Sequence, residues 1–513
     1  MPLPGHLNPA TLDPLSNVEW TPTSAMDEAL DLAREAQKVW GEVPFEDRCA
    51  RVVAIAKRIL AHREEALALL QEETGRDPAE SLLGEVAFVL SYANGAVGVA
   101  KRALATERVR LSPVDFPGKR AVIEAVPRGV IAIIEPWNYP LLQFYKPLFP
   151  ALLSGNAVIM KPSEHTPRTG AWLAEQCAAE LPPGVVQVVQ GDGVVGGALV
   201  AADVDAVVFC GSVDTGRRIA AKCAERLIPC SVELGGKDAA IVLEDCDLQR
   251  TVAGVLQWSM HNAGQDCSSI ERVYVVEAIA DQFVDQLAAT AKRLQVVPHG
   301  RDLGPLQNEA QLKVVTAHVA DALAKGAKLR AGGEATGDGL GFAPTVLDAC
   351  TDDMLVITDE TFGPVVAVVR VPDEASAIAK ANASRYGLCG SVWTKNLARG
   401  ERIARQLDVG IALVNNHSFP GSVPQIPWTG TKWTGTGTAA SIHAYPTFVR
   451  RRTIVIDSSS RPDVFWKPVD GSLMELGDAV SAFALGAWTQ VFRLISLVSK
   501  RVTSIRSFVG PKR

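Results

Sequence analysis

The first 450 residues contain no long run of basic side chains, and the 513-residue chain carries a formal net charge of −6. This argues against a cationic surface built for nucleic acid, so no nucleic-acid partner is expected. Nine cysteines are scattered along the chain without paired or metal-type spacing. That excludes a disulfide framework and gives no ground for a metal ion; reduced thiols in the cytoplasm are expected. The opening MPLPGHLNPATLDP lacks a charged start followed by an apolar stretch, so no secretory leader is expected. No internal repeat is visible. The 47% hydrophobic and 21% charged content is that of a packed soluble enzyme, and the length calls for two or more domains.

Apolar residues recur at helical spacing through AMDEALDLAREAQKVW and RVVAIAKRILAHREEALALLQEETG, so residues 25–106 read as helical, with Gly75 as a stop. Short apolar runs then alternate with helical stretches, at Val130–Ile134, Ala157–Met160, Val185–Val189, Ala206–Phe209 and Ala239–Leu243. Continuous apolar strands separated by helices imply a parallel sheet covered on both faces, an α/β fold of the doubly wound, dinucleotide-binding type. A second alternating series after residue 233 includes Arg272–Val276, Val365–Val369, Ser391–Trp393 and Ile411–Val414, and predicts a second α/β domain. Arg108–Val126 reads as a polar hairpin arm, and Thr453–Ile456 as a late strand able to pair with it. The expected division is a dinucleotide-binding domain over 1–107 and 127–232, a catalytic domain over 233–440, an oligomerisation arm over 108–126 and 441–456, and a tail over 457–513.

Several short motifs carry chemistry. GDGVVGG at 191–197 fits G-x-G-x-x-G at Gly191, Gly193 and Gly196. No acidic residue ends a following strand about 20 residues later, where a ribose would need it. A plain turn before a helix is the better reading. EPWNYP at 135–140 follows a strand whose end faces the ligand crevice of such a sheet, and Asn138 offers an amide suited to an oxyanion. Its alternative is a proline-punctuated loop. NAGQDCSS at 262–269 puts Cys267 in a small polar turn, more accessible than Cys210 or Cys389 within apolar strands. Glu233 in ELGGKD can supply a base, because the two glycines let the backbone pass close to a ligand.

Taken in order, PWNYP (136–140), MKPSE (160–164), FCGSVDTG (209–216), ELGGKD (233–238), GQDC (264–267), ETFGPV (360–365) and, more weakly, PWTGTKWTGTG (427–437) resemble the aldehyde dehydrogenase superfamily over roughly residues 25–455. The resemblance implies that Cys267 attacks the aldehyde carbon to give a thiohemiacetal and then a thioester. Asn138 and the Cys267 N–H would hold the oxyanion, and Glu233 would activate the hydrolytic water. It implies NAD as cofactor, with NADP admitted. Lys161 and Glu164 would meet the adenosine ribose, and Ser212, beside Gly211, the pyrophosphate at a helix N-terminus. Pro136, Trp137, Gly193, Leu234 and Gly235 would line the cofactor path, with Glu360 and Phe362 at the nicotinamide end. Tyr139, Gln143, His261, Pro420 and Trp428 would face the tunnel of a small-molecule aldehyde. Members of the family join arm and late strand across subunits, which implies a homodimer or homotetramer.

Two features depart from the pattern. Thr438 and Ala439 stand where a glutamate often serves as an auxiliary proton relay, so hydrolysis would rest on Glu233. Beyond residue 456, Ala479–Ser499 is almost free of charge, and Arg493, Lys500, Arg501, Arg506, Lys512 and Arg513 follow with no acid among them. This stretch reads as an amphipathic basic tail making peripheral membrane contact through residues 479–513, with a packed C-terminal helix as the alternative. A membrane-partitioning, medium- or long-chain aldehyde would suit it. Two other functions fit the fold, a coenzyme A-acylating dehydrogenase and a non-enzymatic membrane-bound scaffold; retention of Glu233, Cys267 and Asn138 argues against both.

Overall fold

A computed structural model describes residues 6–16, 18–112, 115–297, 301–337 and 339–510. The expected Lys512 and Arg513 contacts lie outside these residues. The chain forms two compact units, Met1–Leu104 with Val126–Arg450, and Ala105–Ala125 with Arg451–Arg513.

The large unit opens with the helices Met26–Glu42, Phe45–Ala61 and Arg63–Thr74. The last stops at Gly75, whose φ of 66° lets its N–H close on the Gln71 carbonyl; a Cβ there would stand 2.5 Å from Pro305. Only glycine satisfies both demands. The helical segment Pro78–Ala103 passes through a π turn at Leu82–Val86, and Glu85 is buried in an ion pair with Arg76.

Two sheets follow. A five-stranded parallel sheet has the order Val186–Val188, Ala157–Lys161, Val130–Ile134, Ala206–Gly211, Cys230–Leu234. Val130–Ile134 and Ala157–Lys161 are buried throughout, as continuous apolar strands between helical layers must be. The run expected at Ala239–Leu243 forms the strand Asp238–Val242 but lies in the other sheet, pairing with Ile270–Val276 and Cys389–Trp393. A buried parallel strand is apolar whichever sheet holds it, so the pattern alone could not assign it. The second sheet has seven strands, in the order Lys328–Ala331, Thr345–Asp348, Val365–Val371, Ile270–Val276, Asp238–Val242, Cys389–Trp393, Ile411–Val414; only the first pair is antiparallel. Its edge strand Lys328–Ala331 is half exposed, which hid it from an apolar-run reading.

The small unit holds a three-stranded sheet in the order Glu107–Val109, Lys119–Pro127, Val449–Asp457. The late strand thus pairs with the arm inside one chain. Lys119 ties it with Asp457 at 3.2 Å and Asp463 at 2.6 Å. The tail folds into two helices, Gly471–Ala484 and Gln490–Val509, so the apolar stretch 479–499 is broken around Gly486, which has φ 96°. Leu476, Ala479 and Leu497 form their shared core, with Val464 and Leu494 packed against it. The tail's positive charges are less free than the sequence suggested. Lys500 pairs with Glu475 at 2.8 Å, and Arg501 is fully buried, donating to the Val464 carbonyl at 2.9 Å and to Asp470 at 3.1 Å.

Candidate active site

Cys267 sits on a strained loop between the helix Leu248–Met260 and the strand Ile270–Val276. Asn262, Ala263 and Gly264 have φ of 52°, 54° and 71° in succession. Two adjacent non-glycine residues in the left-handed region cost of order 1–3 kcal/mol each, and such strain persists only where surrounding bonds overdetermine it. Here they do. The Asn262 N–H donates to Glu80 at 2.6 Å, its side-chain amide to the Asn138 carbonyl at 2.8 Å, and Gln265 is fixed by Pro305 and Gln307. The backbone passes so close to ELGGKD that a Cβ on Gly236 would lie 2.0 Å from the Cys267 carbonyl oxygen. Both glycines of that motif are therefore demanded by contact, since a Cβ on Gly235 would meet Glu360 at 2.2 Å.

Asn138 Nδ2 donates to the Gln265 carbonyl at 3.1 Å, leaving its second amide hydrogen and the Cys267 N–H without acceptors among the described residues. Cys267 opens on two cavities. One, of about 500 Å³, is lined by Tyr139, Gln143, His261 and Trp428, the residues assigned to an aldehyde tunnel. Pro420 is buried behind it, and its neighbours Phe419 and Gly421 form the wall instead. His261 is held as wall by the contact of its Nδ1 with Glu80 at 2.9 Å and by stacking on Tyr139.

The second cavity, about 340 Å³, is bounded by Pro136, Trp137, Asn138, Leu234, Gly235, Glu360 and Phe362 besides Cys267. It shares Pro136, Trp137, Gly211 and Ser212 with a groove of about 620 Å³ that reaches Lys161, Glu164 and Gly193. All eleven residues assigned to the cofactor path therefore line one continuous groove. Its shape fits a dinucleotide. Ser212 caps the 13-residue helix Val213–Glu225, whose amide end faces the groove, and a Cβ on Gly193 would meet nothing within 4 Å. GDGVVGG is the turn into the helix Gly193–Ala201, with Asp192 as its cap. Arg218 and Lys222 also border the groove; on an exposed helix nothing in the sequence singled them out.

Glu233 occupies a nearly closed pocket with Glu135, Lys146, Thr438 and Ala439. Burial pushes its carboxyl up to about 7, against the opposing pull of Lys146. Glu135 is raised well above the usual carboxylate range by burial and then by Glu233. The late motif fixes this strand: the Leu234 N–H bonds to Thr434 at 2.9 Å and the Gly437 N–H to Val232 at 2.8 Å. Sequence reasoning missed Glu135 and Lys146. A buried lysine in the otherwise apolar helix Leu142–Leu153 was the available signal, because lysine is almost never buried without a purpose. It also missed Lys237 and Glu271, a buried ion pair; Glu271 accepts the N–H groups of Thr361 at 2.8 Å and Phe362 at 2.9 Å. The pair sets the loop that brings Glu360 and Phe362 to the groove.

Burial raises the Cys267 thiol well above its ordinary range, and the Asp266 carboxylate adds to the rise. The resting protein therefore holds a neutral thiol.

The model of the aldehyde dehydrogenase family matches residues 5–454. The chain belongs to the aldehyde dehydrogenase family. It is 39% identical over 415 residues to a 4,4'-diapolycopene aldehyde oxidase from Methylomonas sp, covering 80% of this chain and 78% of that one. It is 36% identical over 435 residues to a protein named succinate-semialdehyde dehydrogenase [NADP(+)] 2 from Mycobacterium ulcerans (strain Agy99), covering 83% of each. A crystal structure of betaine aldehyde dehydrogenase from Staphylococcus aureus in complex with NAD+ superposes with a TM-score of 0.85 at 30% identity, covering 90% of this chain and 93% of that one. Like other members of the family, the enzyme oxidises an aldehyde to the carboxylic acid with NAD(P)+.

Proposed function

We propose that Cys267 is the nucleophile, that Asn138 and the Cys267 N–H hold the oxyanion, and that Glu233 activates the water that releases the acid. When bound, the oxidised nicotinamide supplies a positive charge and a hydride acceptor in the cavity that Cys267 faces. The aldehyde carbon enters from the opposite side, through the tunnel. Attack exchanges the Cys267 S–H bond for a sulfur–carbon bond, with the thiol proton leaving through the tunnel to solvent, and places negative charge on the former carbonyl oxygen, within reach of two donors that the fold has left unpaired; each is worth roughly 3 kcal/mol in such a transition state. Loss of hydride from that carbon to the bound nicotinamide would leave a thioester; a water that then adds to it would give its proton to Glu233, and the C–S bond would break to release the acid and the Cys267 sulfur.

The substrate proposed is an extended apolar aldehyde, taken up at a membrane surface in the cytoplasm. The tunnel mouth carries this reading. Leu83, Phe88 and Phe419 line the tunnel yet remain exposed, and only Lys146 and Asp266 bring charge to its wall. Lys146 lies over the Trp428 ring at 5.1 Å and Asp266 accepts from Tyr139 at 3.0 Å, so neither is offered to a charged substrate tail. The relative named for 4,4'-diapolycopene aldehyde supports the same class. In the small unit Trp466, Leu485, Trp488, Phe492 and Ile495 are all exposed, apolar side chains left over after the two tail helices have packed. Exposed apolar side chains of this kind, on a tail whose Arg493 and Arg506 are also exposed, suit an anionic bilayer interface. Across a series of linear aldehydes kcat/KM is expected to rise with chain length through about ten carbons, because each buried CH2 contributes about 0.8 kcal/mol. The full chain is expected to float with anionic liposomes at low salt, and a chain ending at Ser460 to stay below. A flat chain-length profile or loss of activity on long chains removes the substrate claim; co-sedimentation of both chains with the soluble fraction removes the membrane claim.

NAD is proposed as the preferred cofactor. Lys161 Nζ stands 3.6 Å from Glu164 Oε2, and that carboxylate would accept from a ribose 2′-hydroxyl but repel a 2′-phosphate by about 1 kcal/mol or more. Catalytic efficiency should favour NAD by about tenfold, with Glu164→Gln narrowing the gap. A higher efficiency with NADP refutes it, and Arg218 and Lys222 would then be the phosphate's partners.

A homodimer or larger homo-oligomer is proposed because Glu107–Val109 and Val449–Asp457 are the outer strands of the three-stranded sheet, with no further strand beside either among the described residues. Light scattering at micromolar concentration should give at least twice the 54.7 kDa chain mass; a monomer mass contradicts this.

A further inference from the structure

Three donor side chains from distant parts of the sequence meet in the core behind the nucleophile loop. Asp238 and Cys389 open neighbouring parallel strands, and His417 follows the next one, Ile411–Val414. One ligand-type atom of each lies within 4.8 Å of the other two. Asp238 is 2%, Cys389 1% and His417 0% exposed. Spacings of 151 and 28 residues are not those of any metal motif, so the cluster is invisible in the linear chain.

His417 Nε2 lies 2.9 Å from the Ser268 carbonyl oxygen. A carbonyl only accepts, so Nε2 carries a proton in this contact and Nδ1 is the nitrogen open to a metal. Neither Nδ1 nor Asp238 Oδ2 has a hydrogen-bond partner among the described residues, and Oδ2 is 3.6 Å from Nε2. The Cys389 thiol reaches the Asp238 carboxylate, which leaves Oδ2 and Nδ1 short of donors, and buried acceptors without donors are costly unless a proton or a cation joins them. A histidine that donates one N–H to a backbone carbonyl is also the usual way of presenting its other nitrogen to a metal. Thiolate, imidazole and carboxylate together favour a borderline-soft divalent ion over magnesium or calcium. With Cys389 and Asp238 both anionic, a dication would leave the buried cluster neutral.

We propose that Asp238, Cys389 and His417 form a binding site for one zinc-type divalent cation, which pins the Cys267 loop through the bond between His417 and Ser268. Binding replaces the Cys389 S–H bond with a sulfur–metal bond, and the thiol proton leaves to the buffer. The loop contact is direct: Ser268 follows Cys267, and its hydroxyl also meets Ser418 at 2.6 Å, next to His417.

The test uses the full chain carrying Cys267→Ala, so that the nucleophile cannot itself bind metal. After dialysis against micromolar zinc the protein should retain about one equivalent by elemental analysis. Cobalt(II) in place of zinc should give a thiolate-to-metal charge-transfer band. In the same background Cys389→Ser and His417→Gln should weaken metal binding at least about tenfold, while Cys246→Ser, a buried thiol outside the cluster, leaves it unchanged. A stoichiometry far below one, absence of the charge-transfer band, or a band that survives Cys389→Ser overturns the proposal. Should the cluster variants fail to fold by circular dichroism, the stoichiometry and the cobalt spectrum of the Cys267→Ala protein decide alone.

Discussion

Cys267→Ala is expected to lower kcat for aldehyde oxidation by more than about 10⁴-fold while dinucleotide binding changes by less than about threefold. Without the sulfur no tetrahedral adduct forms, and a free aldehyde carbon does not part with hydride readily. The neighbouring thiol offers no rescue. Cys210 borders the cofactor cavity but not the tunnel, and burial together with the Glu135 and Glu233 carboxylates holds its thiol well above the ordinary range. The Cys267 side chain contributes little to the groove that grips the dinucleotide, so binding measured by fluorescence titration should survive. Residual activity within about tenfold of the native enzyme refutes the assignment.

Glu233→Gln is expected to separate the two halves of the reaction. One equivalent of NADH should appear in a burst, followed by turnover slowed by about 10²–10⁴-fold. The amide keeps the shape of the pocket but cannot take a proton. The native enzyme should show the same dependence in its pH profile. Burial holds the Glu233 carboxyl up to about 7; below that pH it is protonated and cannot act as a base, so steady-state kcat should climb as pH rises through about 7 and then level. This rise should vanish from the slow phase of Glu233→Gln. Loss of the burst would instead mean that Glu233 draws the proton from Cys267 before acylation.

Much of this site was legible because the chemistry depends on contiguous peptides. GQDC and ELGGKD say little when read alone, but their order along the chain with PWNYP, MKPSE and ETFGPV carried the resemblance, and the glycines 235 and 236 lie against Glu360 and the Cys267 carbonyl. The central strands were legible for a similar reason, since burial on both faces leaves no freedom for polar residues. Partners that act across the fold were not. Lys146, Glu135, Lys237 and Glu271 are charged residues in elements whose neighbours are apolar, and their roles come from which strands stand side by side. The tail was legible in composition and misread in detail. Charge counting could not show that Arg501 turns inward to Asp470 and the Val464 carbonyl, or that Lys500 meets Glu475 twenty-five positions earlier.

The covalent intermediate offers the most direct measurement. Glu233→Gln enzyme mixed with NAD and an aldehyde, quenched in acid and digested, should carry the acyl group on the peptide containing Cys267, at close to one equivalent and matching the NADH burst. An acyl group on Cys210 or any other residue, or a burst without an adduct, would contradict the mechanism.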